Sequence, residues 1–526
     1  MHPLHLVWLK RDLRLHDHAP LYHACQQAAA TGGIVLILYM VEPLVLHATT
    51  TSQQHLRFIQ ACLHPLQTEL ETHQASPLWV TEGEILTVLE NLRQALPRYG
   101  YQLTHLHSHE ETGDWATFQR DKAVQRWCAS VGVVWHEVPQ HGVVRRLKTR
   151  DTWASQWQQR MQQPILTTPW TMLQHTALPS QHPLSEALRQ ETHHTLARLP
   201  QHLPSDGKTI QQGGRSAGLA RFHQFLWHDG LPYSQGMSSP LTAETACSRL
   251  SPYLSFGCLS MKEVWQHTRQ HLNELQQHSP NAQREQGTYH QWQRALTSFE
   301  KRLYWHCHFM QKLEDEPTLE FTAMHPAFEA LRPRTADSTL EARLHAWCSA
   351  QTGVPMIDAC MRHLQATGWI NFRMRAMLMS FASYQLWLPW QWTAPFLGRH
   401  FLDYEAGIHY SQVHMQSGVT GINSIRIYSP VKQGQDQDPH GDYLDRWLPE
   451  LRAIPLPYKH EPWKLPPLLQ EERPKQYPPP IVDVEQSYKE AQALVWGFKR
   501  QPTVKAHTPS VLAKHGSRQP RPRKRS

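Results

Sequence analysis

A stripe of mixed chemistry runs along residues 296–313, LTSFEKRLYWHCHFMQKL. On a helix, Phe299, Arg302, His306 and Phe309 fall on one side, with Trp305 at its edge. A guanidinium and an imidazole on an otherwise apolar stripe are costly unless something pairs with them. The stripe therefore reads as a cavity wall or as a core helix whose polar tips reach the surface. His306, Cys307 and His308 do not make a metal tract, because adjacent helical residues point about 100° apart. The chain's 37 histidines also make chance neighbours common, so no metal is expected. In residues 367–379, Asn371 and Arg375 share a face at i, i+4, whereas Arg373 lies about 200° from Arg375. One arginine faces inward and the other outward. A buried guanidinium needs a carboxylate, and residues 401–407 (FLDYEAG) offer Asp403 and Glu405. An ordinary internal ion pair fits the same pattern. Residues 246–257 (ACSRLSPYLSFG) set Cys247, Ser248, Arg249 and Ser251 at a helix start. Those donors suit a phosphate oxygen, or simple helix capping.

The elements that must hold these groups fall into two styles. Residues 5–9, 33–40, 78–80, 103–105 and 133–136 are short apolar runs that read as strands, with helical segments such as 53–72 and 83–96 between them. This alternation predicts an α/β domain over residues 1–142, a Rossmann-like parallel sheet with helices on both faces. Ligands of such sheets sit beyond the carboxyl ends of the strands, where the loops 10–17 and 108–113 (SHEETG) lie. No GxGxxG follows a strand, so the usual dinucleotide fingerprint is missing. Residues 143–207, rich in Gln, Pro, Thr and His without sustained periodicity, read as a connector between domains. Residues 208–498 carry helical periodicity almost throughout and predict an all-α domain. Residues 376–398, the longest uncharged stretch, read as two buried helical pieces broken at Pro389 rather than a membrane span.

Lys plus Arg number 52 against 44 for Asp plus Glu, but the excess is local. Nine basic residues and no acidic one follow Phe498, and without them the body carries 43 basic against 44 acidic groups. Net charge alone therefore implies nothing about nucleic acid, and any such surface must be a patch. Residues 499–526 read as a basic, flexible tail. It would add nonspecific affinity for polyanions or remain a solvated end. Eight cysteines without a CxxC pair read as reduced thiols. Charges at Lys10, Arg11 and Asp12 directly after the first apolar run leave no room for a signal-peptide core. A cytoplasmic setting is expected.

Taken in order, LVWLKRDLRLHDHAPL (residues 6–21), SRLSPYLSFG (248–257), TGWINFRMRAML (367–378), FLDYEAG (401–407) and RIYSPVKQGQDQDPHGDYLDRWLPEL (426–451) resemble the DNA photolyase/cryptochrome flavoproteins. The likeness spans about residues 4–495 and is weakest in the connector. It implies an α/β antenna domain followed by a helical domain holding FAD in a bent form. By resemblance, Tyr233 and Cys247, Ser248, Arg249, Leu250 and Ser251 would meet the flavin's diphosphate and ribityl chain. Phe299, Arg302, His306 and Asn371 would belong to the same cavity. Arg375 and Asp403 would pair beside the isoalloxazine, Glu405 would accept from its N3–H, and His409 would lie opposite N5. Trp305 and Met415 would line the lesion pocket, Arg373, Arg426 and Lys432 would bind DNA phosphates, and Glu110 would mark an antenna pigment such as a folate or deazaflavin.

Several positions depart from the family's pattern. His409 stands where repair enzymes usually carry Asn, and Val413 where the photoreduction chain usually begins with Trp. Trp390 matches that chain's second member, and Met415 replaces a lesion-facing Trp. Arg302 and His306 replace an acid and an Arg, and the absence of Cys after Cys360 excludes the four-cysteine iron–sulfur subgroup. The resemblance implies a monomeric, light-dependent enzyme of a divergent prokaryotic branch. It would split UV-induced pyrimidine dimers in DNA, cyclobutane dimers being the expected lesion, with reduced FAD as electron donor. The alternative is a cryptochrome-like photoreceptor.

Overall fold

The computed structural model describes residues 1–277, 283–472 and 474–516. Five strands, β1 (His2–Leu9), β2 (Ile34–Val41), β3 (Leu78–Glu82), β4 (Tyr101–His109) and β5 (Val134–Val138), form one parallel sheet. Their order is β3-β2-β1-β4-β5, so the winding reverses at β1. The near-continuous apolar run of β2 is explained by burial at every one of its positions. Val7, Leu9, Val35 and Ile37 face one core with helices Ala19–Thr31 and Gln53–Thr72. Leu4, Leu6, Trp8 and Leu36 face the other, with helices Ile85–Ala95 and Trp115–Val131. All five expected strands are present: β1, β3 and β4 run longer than expected, while β2 and β5 start one residue later, leaving out Gly33 and Val133, and end one or two residues further on.

Many of the histidines are structural. His5, His105, His107 and His136 stack across β1, β4 and β5, with His5 and His105 rings 4.4 Å apart. Burial first, then mutual repulsion, lowers the His5 pKa to about 4.

The stretch expected to be an aperiodic connector contains three helices, Trp153–Met161, Trp170–His175 and Pro183–Arg198. Trp153, Trp157 and Met161 form a narrow stripe at i, i+4, i+8, too thin to show against a Gln-rich background. Both tryptophans meet Tyr304 edge-on, at 5.0 and 5.2 Å. The third helix docks on β3, where Thr192 donates to the Leu78 carbonyl and accepts from the Val80 amide.

The helical domain shares its first core with the sheet: Phe222, Phe225, Tyr253, Phe256 and Leu296 pack in one cluster with Val7, Leu9 and Phe58. A second core surrounds Trp347, Phe381, Tyr384 and Tyr443. The uncharged stretch forms helices Phe372–Tyr384 and Trp390–His400, with Pro389 as the cap between them, as expected. The most family-specific block is largely structural, because the buried Asp438 carboxylate accepts from the Tyr443 and Leu444 amides. The tail differs from its expectation in part. Pro502–His515 is helical, with Val504 and Val511 buried and His515 2.6 Å from Glu316. Two buried valines, the His515–Glu316 hydrogen bond and a Lys514–Glu316 ion pair fix a helix that its composition disguises. Residues 517–526 lie outside the described residues.

The two domains are joined through the first loop. Leu13 donates to the Phe256 carbonyl and Arg14 to the Gly257 carbonyl. Gly257 has φ +65°, and a Cβ there would stand 2.2 Å from the Arg11 carbonyl oxygen. Gly257→Ala should therefore destabilise the protein by about 1–3 kcal/mol through overpacking of this junction, seen as a lowered denaturant midpoint. An unchanged midpoint would remove the junction from the account.

Candidate functional site

Arg375 lies on the first turn of helix Phe372–Tyr384 and faces inward. Its Nη1 and Nη2 donate to the two Asp403 carboxylate oxygens, each at 2.9 Å, and Nε donates to the Ile370 carbonyl. The guanidinium also lies over the Phe401 ring at 4.3 Å. Burial alone would raise the Asp403 carboxyl, but Arg375, aided by the Ser251 hydroxyl, holds it below the ordinary carboxylate range. One ion pair thus ties together the helix after Asn371, the 401–405 loop and the helix start at Ser251. Arg373 points away, to Gln433 and Ser238. The inward/outward split inferred from helix geometry is present.

Glu405 ends the loop and caps helix Ala406–Gln416. Its carboxylate accepts from His306 Nε2 at 2.7 Å. Burial works against charge on His306, but Glu405 outweighs it and raises the imidazole pKa to about 10. His306 is thus an imidazolium, and it holds Glu405 below the usual range against burial. His409, one turn along, is buried, and its Nε2–H donates to the Ala394 carbonyl at 2.8 Å. Burial lowers its pKa to about 4, so this ring is neutral. Arg375, Asp403, Glu405, His409 and Val413 line a common cavity of about 580 Å³ that opens to solvent. Phe372 and Gln412, which the sequence did not single out, line it as well.

A cluster of guanidiniums adjoins this cavity. Arg249, Arg221, Arg302 and Arg375 all act electrostatically on the Cys247 thiol, whose pKa burial nevertheless raises to about 11. Arg249 has φ +55° and stacks on Trp369 at 3.9 Å. Ser248 Oγ accepts from the Leu250 amide, and Tyr233, beside Arg302, is buried edge-on to Phe225 and Phe299. Four guanidiniums around one short turn, with Asp403 and Asp229 engaging only Arg375 and Arg221, fit a diphosphate. The buried amide of Gln412, unpartnered at both ends, fits a ligand with its own hydrogen-bonding edge. The residues present therefore suit FAD.

Other expected residues are dispersed. The 299–309 stripe splits: Phe299 is core, 4.8 Å from Phe225, and Arg302 is exposed with Nη2 3.8 Å from Met237 Sδ. Trp305 stacks on Phe309 and meets His308 edge-on. Met415 lines a different, smaller cavity with Phe328, Gly421 and Lys499. Asn371 donates to the Met237 and Ser238 carbonyls. Arg426 is exposed, as is Lys432, which pairs with Asp436. Glu110 lines an interdomain cleft with Trp135, Phe118, Arg146 and Lys148, and burial raises its carboxyl. Asp12, His18 and His109 converge in the interior. Both rings contact one Asp12 oxygen, and His18 Nδ1 accepts from the Leu21 amide, which leaves its proton on Nε2. That tautomer makes a hydrogen-bonded cluster rather than a ligand set.

An α/β domain fused to a helical domain, with a guanidinium cluster beside a largely apolar cavity that holds the Arg375–Asp403 pair, suits a flavin-nucleotide-binding protein. The family model described as "DNA photolyase" matches residues 5–163, and "FAD binding domain of DNA photolyase" matches residues 298–497. The chain belongs to the DNA photolyase/cryptochrome family. It is 27% identical over 503 residues to a cryptochrome DASH of Gloeobacter violaceus, covering 92% of this chain and 93% of that protein. It is 26% identical over 488 residues to a deoxyribodipyrimidine photo-lyase of Vibrio cholerae, covering 88% and 94%. A bacterial class III photolyase structure from Agrobacterium tumefaciens superposes with TM-score 0.76 at 23% identity, covering 95% and 98%. That last likeness is one of fold. Among the described residues, no helix is long and apolar enough to cross a membrane.

Arg375→Ala leaves Asp403 buried without its partner, a loss of about 3–5 kcal/mol. The purified variant should be depleted of FAD, read from its visible absorption, and full flavin content would refute the pocket assignment. The His306–Glu405 pair sets a pH signature. His306 is raised above its ordinary 6.5, so its stabilisation is complete below that pH and is lost as pH rises toward 10. Glu405 is depressed, so its share is present above its ordinary 4.5 and lost in acid. Unfolding free energy should fall between pH 7 and 10 in the wild type and flatten there in His306→Gln.

Proposed function

We propose that this protein is a light-dependent DNA-repair enzyme that splits UV-induced pyrimidine dimers, of the cyclobutane type. The observation that carries the reading is the opening of the Arg375–Asp403 cavity beside Phe372 and the arginine that follows it, Arg373. Phe372 stands at the mouth, Arg373 follows it in the chain, and Arg373 reaches Gln433 on helix Pro430–Gln437, which presents Lys432. When bound, reduced FAD supplies an electron on excitation and recovers it once the cyclobutane ring has opened.

The chain's own residues place and surround that chemistry. Arg375 fixes a positive charge against the flavin site, and Asp403 fixes the guanidinium's plane. The imidazolium of His306 holds the Glu405 carboxyl below its ordinary range against burial, which works to raise it. Neutral His409, its Nε2–H spent on Ala394, brings no charge to the cavity. Arg426, Arg373 and Lys432 would hold backbone phosphates around an extruded lesion, whose flipping costs least where pairing is already lost. Trp305 would wall the lesion only if it turned from Phe309, and Met415 would contribute from its separate cavity. Glu110 would hold a folate or deazaflavin antenna in the interdomain cleft. A monomer working in the cytoplasm fits this role.

A cryptochrome-like photoreceptor is the second reading, supported by the cryptochrome DASH relative. Val413, an aliphatic residue beside the cavity where the resemblance calls for Trp, weighs against efficient photoreduction. Dimer-containing oligonucleotides under blue light, with the flavin chemically reduced, separate the two. Repair over many turnovers is expected. A flavin-loaded protein that photoreduces but restores no bases would favour the photoreceptor.

A further inference from the structure

The domain junction holds two thiols in contact. Cys62 lies on helix Gln53–Thr72 of the α/β domain, and Cys258 directly follows the turn at Gly257 in the helical domain. They are 1% and 0% exposed, and their sulfurs stand 3.4 Å apart although 196 residues separate them in the chain. Both are held in place. The Gly214 amide donates to Cys62 Sγ at 3.2 Å. A Cβ at Gly213 would stand 3.2 Å from the same sulfur and 2.5 Å from the Phe58 carbonyl oxygen, so the 213–214 backbone packs directly on the Cys62 side chain. The Cys258 carbonyl accepts from Arg215, which a two-pronged contact with Glu263 anchors in turn.

A thiol pair in contact has a reaction open to it that an isolated thiol lacks. A disulfide has an S–S bond of about 2.05 Å, so closing one here draws the sulfurs together by roughly 1.3 Å. We propose that Cys62 and Cys258 are an oxidisable dithiol, which hydrogen peroxide converts into a disulfide between the two domains. The Cys62 sulfur, which the Gly214 N–H faces, attacks one peroxide oxygen. The O–O bond breaks, a sulfenic acid forms, and water leaves with the thiol proton. The Cys258 sulfur then attacks the Cys62 sulfur, the S–S bond forms as the S–O bond breaks, and a second water takes the second thiol proton. Each sulfur gives up one electron, and the peroxide takes both.

Burial raises the Cys62 thiol well above its ordinary range, so little thiolate is present and the reaction is slow. The same burial shields the finished bond from bulky thiols such as glutathione. The link is therefore a lasting one, not the reply of a fast sensor. It fastens helix Gln53–Thr72 to the junction turn and closes a loop of 196 residues, which restricts the unfolded chain. None of this depends on the proposed repair activity.

The test exposes the folded, full-length, flavin-loaded protein to hydrogen peroxide, quenches it, unfolds it in the presence of a maleimide and digests it for mass spectrometry. The expected product is a peptide pair joined through Cys62 and Cys258, lighter by two hydrogens, with two thiols per chain lost to the maleimide. A phosphine reductant applied to the unfolded protein restores both. The urea midpoint of the oxidised wild type should lie above that of the reduced protein, whereas peroxide should leave the midpoint of Cys258→Ala unmoved. Both thiols still free after prolonged exposure, or sulfurs oxidised singly with no joined peptide, would overturn the inference. A joined peptide without a raised midpoint would refute the fastening of the domains.

Discussion

A carboxylate with 4% side-chain exposure, Asp403, organises the helical domain around its need for a counter-charge. Arg375 meets that need with a two-pronged contact, and the geometry of a planar fork fixes more than a distance. It sets the rotation of helix Phe372–Tyr384 and the path of the 401–405 loop, and through Ser251 it orients the turn that bears Arg249. The depth of Glu405 and the rotation of helix Ala406–Gln416 then follow, because that helix starts where the loop ends. Remove the fork and the helix, the loop and the Ser251 turn lose their common reference point, whereas Glu405 and His409 keep His306 and the Ala394 carbonyl. Pairs of this kind are poor stabilisers compared with apolar packing, and breaking one is expensive. Their value lies in specifying one arrangement.

How much of this was legible in the sequence depended on how local the signal was. The strands were plain, because apolar runs such as GIVLILYM bury on both faces and need no partner to be recognised. Arg375 was legible as inward-facing, since helical angles alone separate it from Arg373, and the acidic loop supplied candidates for its partner. His306 was visible as an oddity on its stripe, but its pairing with Glu405, 99 residues away, depends on tertiary placement. Arg302 lies on the same stripe but is exposed, its guanidinium beside Met237. Gln412 carried no signal at all. An amide in a helix is ordinary until the fold sets it against a cavity. The connector and tail helices were hidden for a different reason, since a single stripe of two or three apolar residues drowns in polar composition.

The two domains are separable in style but not in packing. Phe58, Tyr253 and Phe256 belong to one apolar cluster that crosses the boundary, and the loop after β1 is hydrogen-bonded to the turn at Gly257. Trp153 and Trp157 fasten the connector to the long helix through Tyr304. The sheet is thus a foundation for the helical domain as much as a neighbour to it.

That shared core packs the domain that carries Glu110 against the domain that carries Arg375. A pigment seated in the first would keep one separation and one dipole angle relative to a pigment in the second. Since the efficiency of resonance transfer depends steeply on both, the junction at Gly257 would work as an optical mount for the proposed antenna, setting in the folded chain an alignment that a mobile pair of domains would have to find anew for each photon.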